Sequence, residues 1–183
     1  DAIAGSGGGG TGGGAKAEPA VAFNLNLTSS ATLTNNTKTK VVFDLASLDT
    51  DNGFMSGGYK VQKDGIYNLS YVSKGTGNSH KLNYVKGILC VNDVAISTSQ
   101  DVLYLNQGTA LSANGSVVTE LKKDDVVTLE VQIYSEGGGD GTLEGGANNF
   151  TSLSGHMVSS ITEGEVKEKE AVAFYKRGTG GGV

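Results

Sequence analysis

The chain has 183 residues, 37% of them hydrophobic, which suits one domain with a buried core and extra arms. Its 14 basic and 19 acidic side chains give a formal charge of -5, which argues against a phosphate-binding surface and so against nucleic acid as a partner. Cys90 is the single cysteine, so no disulfide forms within the chain, and no apolar run reaches the roughly 18 to 20 residues that span a bilayer, so no membrane insertion is expected.

The chain begins "DAIAGSGG", without a methionine or a signal-peptide core, as a fragment or processed product would. Residues 5 to 14, "GSGGGGTGGG", offer almost no side chains to pack, and residues 1–20 read as a glycine-rich arm or linker. No Gly-X-Y period is present and Pro19 is the only proline, which excludes collagen; Ala15-Lys16-Ala17 lacks the hydroxyl ending of a phosphate loop.

From residue 21 the hydrophobic pattern has period two, the signature of a strand with one buried side. "VAFNLNL" puts Val21, Phe23, Leu25 and Leu27 on one face and Ala22, Asn24 and Asn26 on the other. "KVVFDL" follows, then "GIYNLSYV", which alternates Tyr67, Leu69 and Tyr71 with Asn68 and Ser70. "GILCVNDVAI", "DVLYL" and "SVVTEL" are shorter candidates, and "VVTLEVQIY" opposes Val127, Leu129, Val131 and Ile133 to Thr128, Glu130 and Gln132. Turn chemistry separates them at Asp51-Asn52-Gly53, Asp64-Gly65, residues 74–78, Asn92-Asp93, Asn114-Gly115 and residues 122–125. "NNFTSLSGHMVS" closes the series, and helical periodicity is absent; "GEVKEKEAVAFYKR" is too charged and short to count. Many short strands at this spacing predict an all-β antiparallel jelly-roll sandwich of about ten strands.

The order of these motifs resembles the jelly roll shared by the complement-one-q globular head and the tumour necrosis factor ligands. "VAFNLNL" resembles its opening strand, "VVFD" with "NGF" its next pair, and "GGYKVQKDGIYNLSYV" its extended segment leading into Gly-x-Tyr. "SVVTELKKDDVVTLEV" resembles the penultimate hairpin and "LEGGANNFTSLSGHMV" the closing strand with its Ser-Gly. The resemblance spans residues 21–161 and sets the domain there, leaving 162–183 as a C-terminal arm in which "AVAFY" forms an extra strand. The chain departs from the family at His156, where an aromatic is usual after Ser-Gly, and in the glycine-rich "SEGGGDGTLEGGANN".

The resemblance implies a homotrimer whose aromatic faces meet, with Phe23, Tyr67, Tyr71, Phe150 and His156 at the subunit interface. Tyr67 and Tyr71 also fit a plainer reading in which both rings cover one end of the monomer's own core. Some relatives bind calcium near the subunit junction, which makes Asp140 and Glu144 the metal candidates; "LDTDNG" reads instead as a turn, since residue 60 is lysine where a calcium loop needs glutamate. No other cofactor is expected.

No convergent catalytic set is legible. His80 in "GTGNSHK" reads as a solvated loop residue and His156 as a strand residue, and "LSGH" is not a serine elbow. Cys90, flanked by apolar residues, reads as a small buried hydrophobe. Of five Asn-x-Ser/Thr matches, at Asn26, Asn35, Asn68, Asn114 and Asn149, several fall in strands, and no glycosylation is expected. We therefore expect no enzyme but a structural and display protein, a trimeric module on a virion as a capsid-associated, fibre or tail protein of a bacteriophage or other virus. Its glycine-rich arms would dock on other virion or fibre proteins, and its head would mediate host attachment. The alternative is a secreted, extracellular trimeric ligand for a host receptor or glycan.

Overall fold

The structure, a computed structural model, describes residues 20–77, 81–102, 110–146 and 150–161. Among these residues there is no helix, and hence none long and apolar enough to cross a membrane. Thirteen strands form two antiparallel sheets packed face to face. The number exceeds the expected ten or so because five of the strands are short pieces: β2 (Ala31–Leu33), β3 (Thr39–Lys40), β5 (Phe54–Met55), β6 (Gly58–Lys60) and β12 (Gly141–Leu143) are each two or three residues long.

Sheet 1 is built on β7 (Gly65–Gly77). One side of β7 pairs with β13 (Ser152–Ser160) and, further along, with β12; the other pairs along its length with β10 (Ala110–Leu121). β13 continues the sheet to β1 (Ala22–Asn26) and β4 (Leu45–Asp49). Sheet 2 runs β5-β6-β11-β8-β9, with β11 (Val126–Tyr134), β8 (Tyr84–Val91) and β9 (Val94–Val102) as its long members.

The alternation read from the sequence is the alternation that packs. Phe23, Leu25, Tyr67, Leu69 and Leu153 face inward from sheet 1, and Tyr59, Val127, Leu129, Val131 and Ile133 face them from sheet 2, all essentially inaccessible to water. Removing each such side chain from water stabilises the fold by about 1.5–3 kcal/mol. "VVTLEVQIY" is β11 residue for residue, and Asn92-Asp93, both at positive φ, form the two-residue turn of the β8–β9 hairpin.

Three local expectations are corrected. "KVVFDL" keeps the alternation, with Val41 and Phe43 buried and Val42 and Asp44 exposed, yet residues 41–44 form no strand. Val41 N–H bonds to Leu129 O of sheet 2, and three residues later Asp44 N–H bonds to Asn26 O of sheet 1, so this segment crosses between the sheets. Asn114-Gly115 is no turn but the middle of β10, where a side chain on Gly115 would meet the Tyr71 ring at 2.9 Å. Residues 74–77, expected as a turn, are likewise strand, because β7 runs through Gly77. Of "DVLYL", Asp101 and Val102 lie in β9 (Val94–Val102), and the rest of it, like both glycine-rich arms, "AVAFY" and His80, lies outside the described residues.

Candidate functional site

The outer face of sheet 1 carries the most distinctive surface. Five strands, in the order β10-β7-β13-β1-β4, line up their outward residues in register. One row reads Ser116, Ser70, Ser154, Asn24, Leu48; on either side lie Val118, Asn68, His156, Ala22 and Asn114, Val72, Ser152, Asn26, Leu45. No Asp, Glu, Lys or Arg occurs in these rows, in a chain where 18% of residues are charged. The Ser70 and Ser154 hydroxyls bond across the strands at 2.8 Å, and Leu48 is 46% exposed beside them.

A shallow groove of about 360 Å³ runs through the centre of this face, with Asn24, Asn68, Ser154 and His156 on its walls. The Asn24 Oδ1 atom is buried there with no hydrogen-bond partner, as is Asn26 Oδ1.

Phe23, Tyr67 and Tyr71, assigned above to the subunit interface, are interior residues of a single chain. Phe23 is 1% exposed and stacks on Tyr59 with ring centroids 3.8 Å apart, while Gly155 leaves room for its edge. Tyr67 donates to Lys63 O at 2.8 Å, and burial pushes its hydroxyl up to about 12. Tyr71 reaches across the sandwich to donate to Gly87 O, with Ser99 Oγ equally close at 3.0 Å. Their ring surface is consumed by the core, which corrects the interface assignment for these three; the plainer reading of the tyrosines is the one the packing follows. Phe150 is half-buried beneath the Lys74 ammonium, 4.0 Å from its ring centre. His156 alone of the five stands exposed on the face itself.

Asp140 and Glu144 serve different neighbours. Asp140 accepts from the Asn35 backbone N–H at 3.1 Å and Glu144 from the Thr76 hydroxyl at 2.6 Å. Among the described residues no three His, Cys, Asp or Glu side chains gather as a metal-sized set. Cys90 is buried, and burial pushes its thiol up, away from the thiolate a nucleophile needs. A second groove, of about 400 Å³, lies between β9 and β10 and is lined by polar groups including Gln100, Asp101 and Asn114. Sequence reasoning missed the face because it took the polar half of each alternation as solvent-facing; the signal available was the lack of charge in "FNLNLTSS" and "SLSGH".

A C1q domain profile matches residues 22–158, about three quarters of the chain and nearly all of the sandwich. The chain belongs to the C1q domain family. Solved structures share the fold at low identity. The TNF Eiger of S. frugiperda superposes with a TM-score of 0.60 at 11% identity, over 80% of this chain and 98% of that one. The globular domain of zebrafish complement 1qA gives 0.53 at 15%, over 77% and 99%. Murine APRIL gives 0.56 at 12%, over 76% and 99%. At these identities the likeness concerns the fold. A comparison with curated protein sequences finds no match. C1q domains are typically trimeric and non-enzymatic.

Proposed function

We propose that this C1q domain works outside the cell as a homotrimeric recognition module, and that its copies associate through the outer face of β10-β7-β13-β1-β4. The observation that carries the reading is that face: five strands wide, without a charged side chain in its three central rows, and edged by exposed Leu45, Leu48 and Val118. Interface cores are depleted of charge in this way, and copies bearing amides and hydroxyls can exchange hydrogen bonds on contact. With that face covered, the loops at the ends of the sandwich remain open for a receptor or glycan. Sedimentation of the full chain tests the assembly, for which a monomer at micromolar concentration is the refuting result. Saturable binding of the same sample to cells or arrayed glycans tests the recognition role.

The narrower placement, display on a virion or fibre, rests on the glycine-rich ends of the sequence and its Asn/Ser-rich polar faces. The recognition reading is preferred because family membership supports it. Finding the chain in fixed stoichiometry within a purified particle would reverse that preference.

A further inference from the structure

The tyrosines among the described residues fall into two groups. Tyr59, Tyr67 and Tyr71 are buried in the core, whereas Tyr84 on β8 and Tyr134 on β11 stand half-buried on the outer face of sheet 2, directly opposite one another in the ladder. Their rings are stacked, with centroids 5.6 Å apart and planes inclined by 25°. Val85 and Ile133, the next residues along, point inward and are fully buried, so the two rings form an aromatic ledge on a packed floor. The polar groups beside it are held in place. The Tyr84 hydroxyl donates to Asn36 Oδ1 at 3.4 Å, Gln132 Nε2 donates to the same atom at 3.0 Å, and the Asn36 backbone N–H is anchored on Ile133 O at 2.9 Å. In the next outward row Lys86 lies between Gln132 on β11 and Gln100 on β9, with no carboxylate opposite it on either strand and no ion-pair partner among the described residues. Glu130, one row further, faces Lys40, which pairs with Asp93 at 2.7 Å, and Glu136 lies two positions beyond Tyr134, outside the strand.

We infer that this ledge binds an acidic saccharide: a sugar ring lies on the Tyr84 and Tyr134 rings, its hydroxyls meet the Asn36, Gln132 and Gln100 amides, and the Lys86 ammonium takes a carboxylate or sulfate on the sugar. The inference rests on the recognition role proposed above and not on the surface through which copies join, since the ledge is on the opposite side of the sandwich from the sheet 1 face. A sugar ring has apolar C–H faces and a polar hydroxyl rim, and tyrosines bordered by amides offer both kinds of contact. Amides already ordered by hydrogen bonds lose little further freedom when a ligand arrives. Lys86 selects an anionic ring because its ammonium gains an ion pair there without giving one up.

The test is titration calorimetry of the full chain, as parent, Tyr84→Ala and Lys86→Gln, at low ionic strength with three probes: oligogalacturonate, which carries carboxylates, sulfated isomaltohexaose, and neutral isomaltohexaose. Circular dichroism confirms retained sheet in each variant. The parent is expected to bind at least one acidic probe about two- to fivefold more tightly than the neutral one, and which of the two it takes separates a carboxylate ligand from a sulfated one. Lys86→Gln should remove that preference and leave neutral-probe binding unchanged, while Tyr84→Ala should weaken every probe by about tenfold. A parent that binds none of the three, or all three equally, overturns the inference, as does acidic-probe binding that survives Tyr84→Ala or keeps its preference in Lys86→Gln. Lys86→Gln, a half-buried surface position, keeps the test decisive if Tyr84→Ala loses its sheet. Failure here leaves the recognition reading standing, because that reading is decided by binding to cells or arrayed glycans.

Discussion

Gly155 offers the most direct test of how tightly the sandwich is closed. A methyl group built on it would lie 2.5 and 2.6 Å from the Phe23 ring and 2.7 Å from Leu69 Cδ2. Neither neighbour can withdraw: Leu69 is fully buried, and Phe23 is backed by Tyr59 with ring centroids 3.8 Å apart. Gly155→Ala therefore overpacks a closed site, for which about 1–3 kcal/mol of destabilisation is expected. In a domain of this size each kcal/mol lowers Tm by about 2–4 °C, so the melting temperature should drop by about 2–12 °C. Thermal denaturation followed by circular dichroism, with protomer concentration held constant so that any assembly contributes equally, reads the change. The clash identifies its own suppressor. Phe23→Leu alone should destabilise by loss of ring burial, but combined with Gly155→Ala the two losses should sum to less than their parts, with a coupling of about 0.5 kcal/mol or more. Gly155→Ala with an unchanged Tm, or strictly additive losses in the double variant, would refute the packing derived for this pair.

Leu48→Asp places a carboxylate on the sheet 1 face at a position already 46% exposed, so the monomer should keep its Tm while the sedimenting species at pH 8 falls to a single chain. Tyr71→Phe removes the hydroxyl that bonds Gly87 O and Ser99 Oγ, and should cost about 0.5–1.5 kcal/mol in denaturant titration without changing the sheet spectrum. Asp44 accepts from both the Thr28 hydroxyl and the Thr28 N–H, each at 2.7 Å, and these bonds hold its carboxyl below the usual carboxylate value. Because the folded value is depressed, its contribution is present above the ordinary carboxylate range and disappears as pH falls through the folded value. Tm measured from pH 5 to pH 2 should accordingly fall less steeply in Asp44→Asn than in the parent.

Where a strand stays in one sheet, its side-chain alternation was enough to place it. "VVTLEVQIY" fixes β11 because each apolar residue has the same core beneath it, and "GIYNLSYV" fixes the start of β7 for the same reason. Asn92-Asp93 was legible as a hairpin turn because both residues tolerate the left-handed backbone that the turn demands. "KVVFDL" shows the limit: alternation records which side chains are buried, whereas strand identity depends on which backbone lies alongside, and here the partner changes from β11 to β1 within three residues. Asn114-Gly115 failed for a related reason, since glycine there serves a tyrosine 44 positions earlier in the chain. The tyrosines stayed open between core and interface in the sequence because a large ring on a strand looks alike whether it faces its own core or a partner. The candidate face was least visible of all. Asn24, Leu48, Ser70, Ser116 and His156 stand far apart in sequence, and only the pairing of β10, β7, β13, β1 and β4 sets them side by side. Local patterning thus determined that the chain forms a two-sheet sandwich, because burial period is written residue by residue. Which polar residues gather into one uncharged surface was decided by strand order, a property of long-range hydrogen-bonded neighbours that no short window of sequence contains.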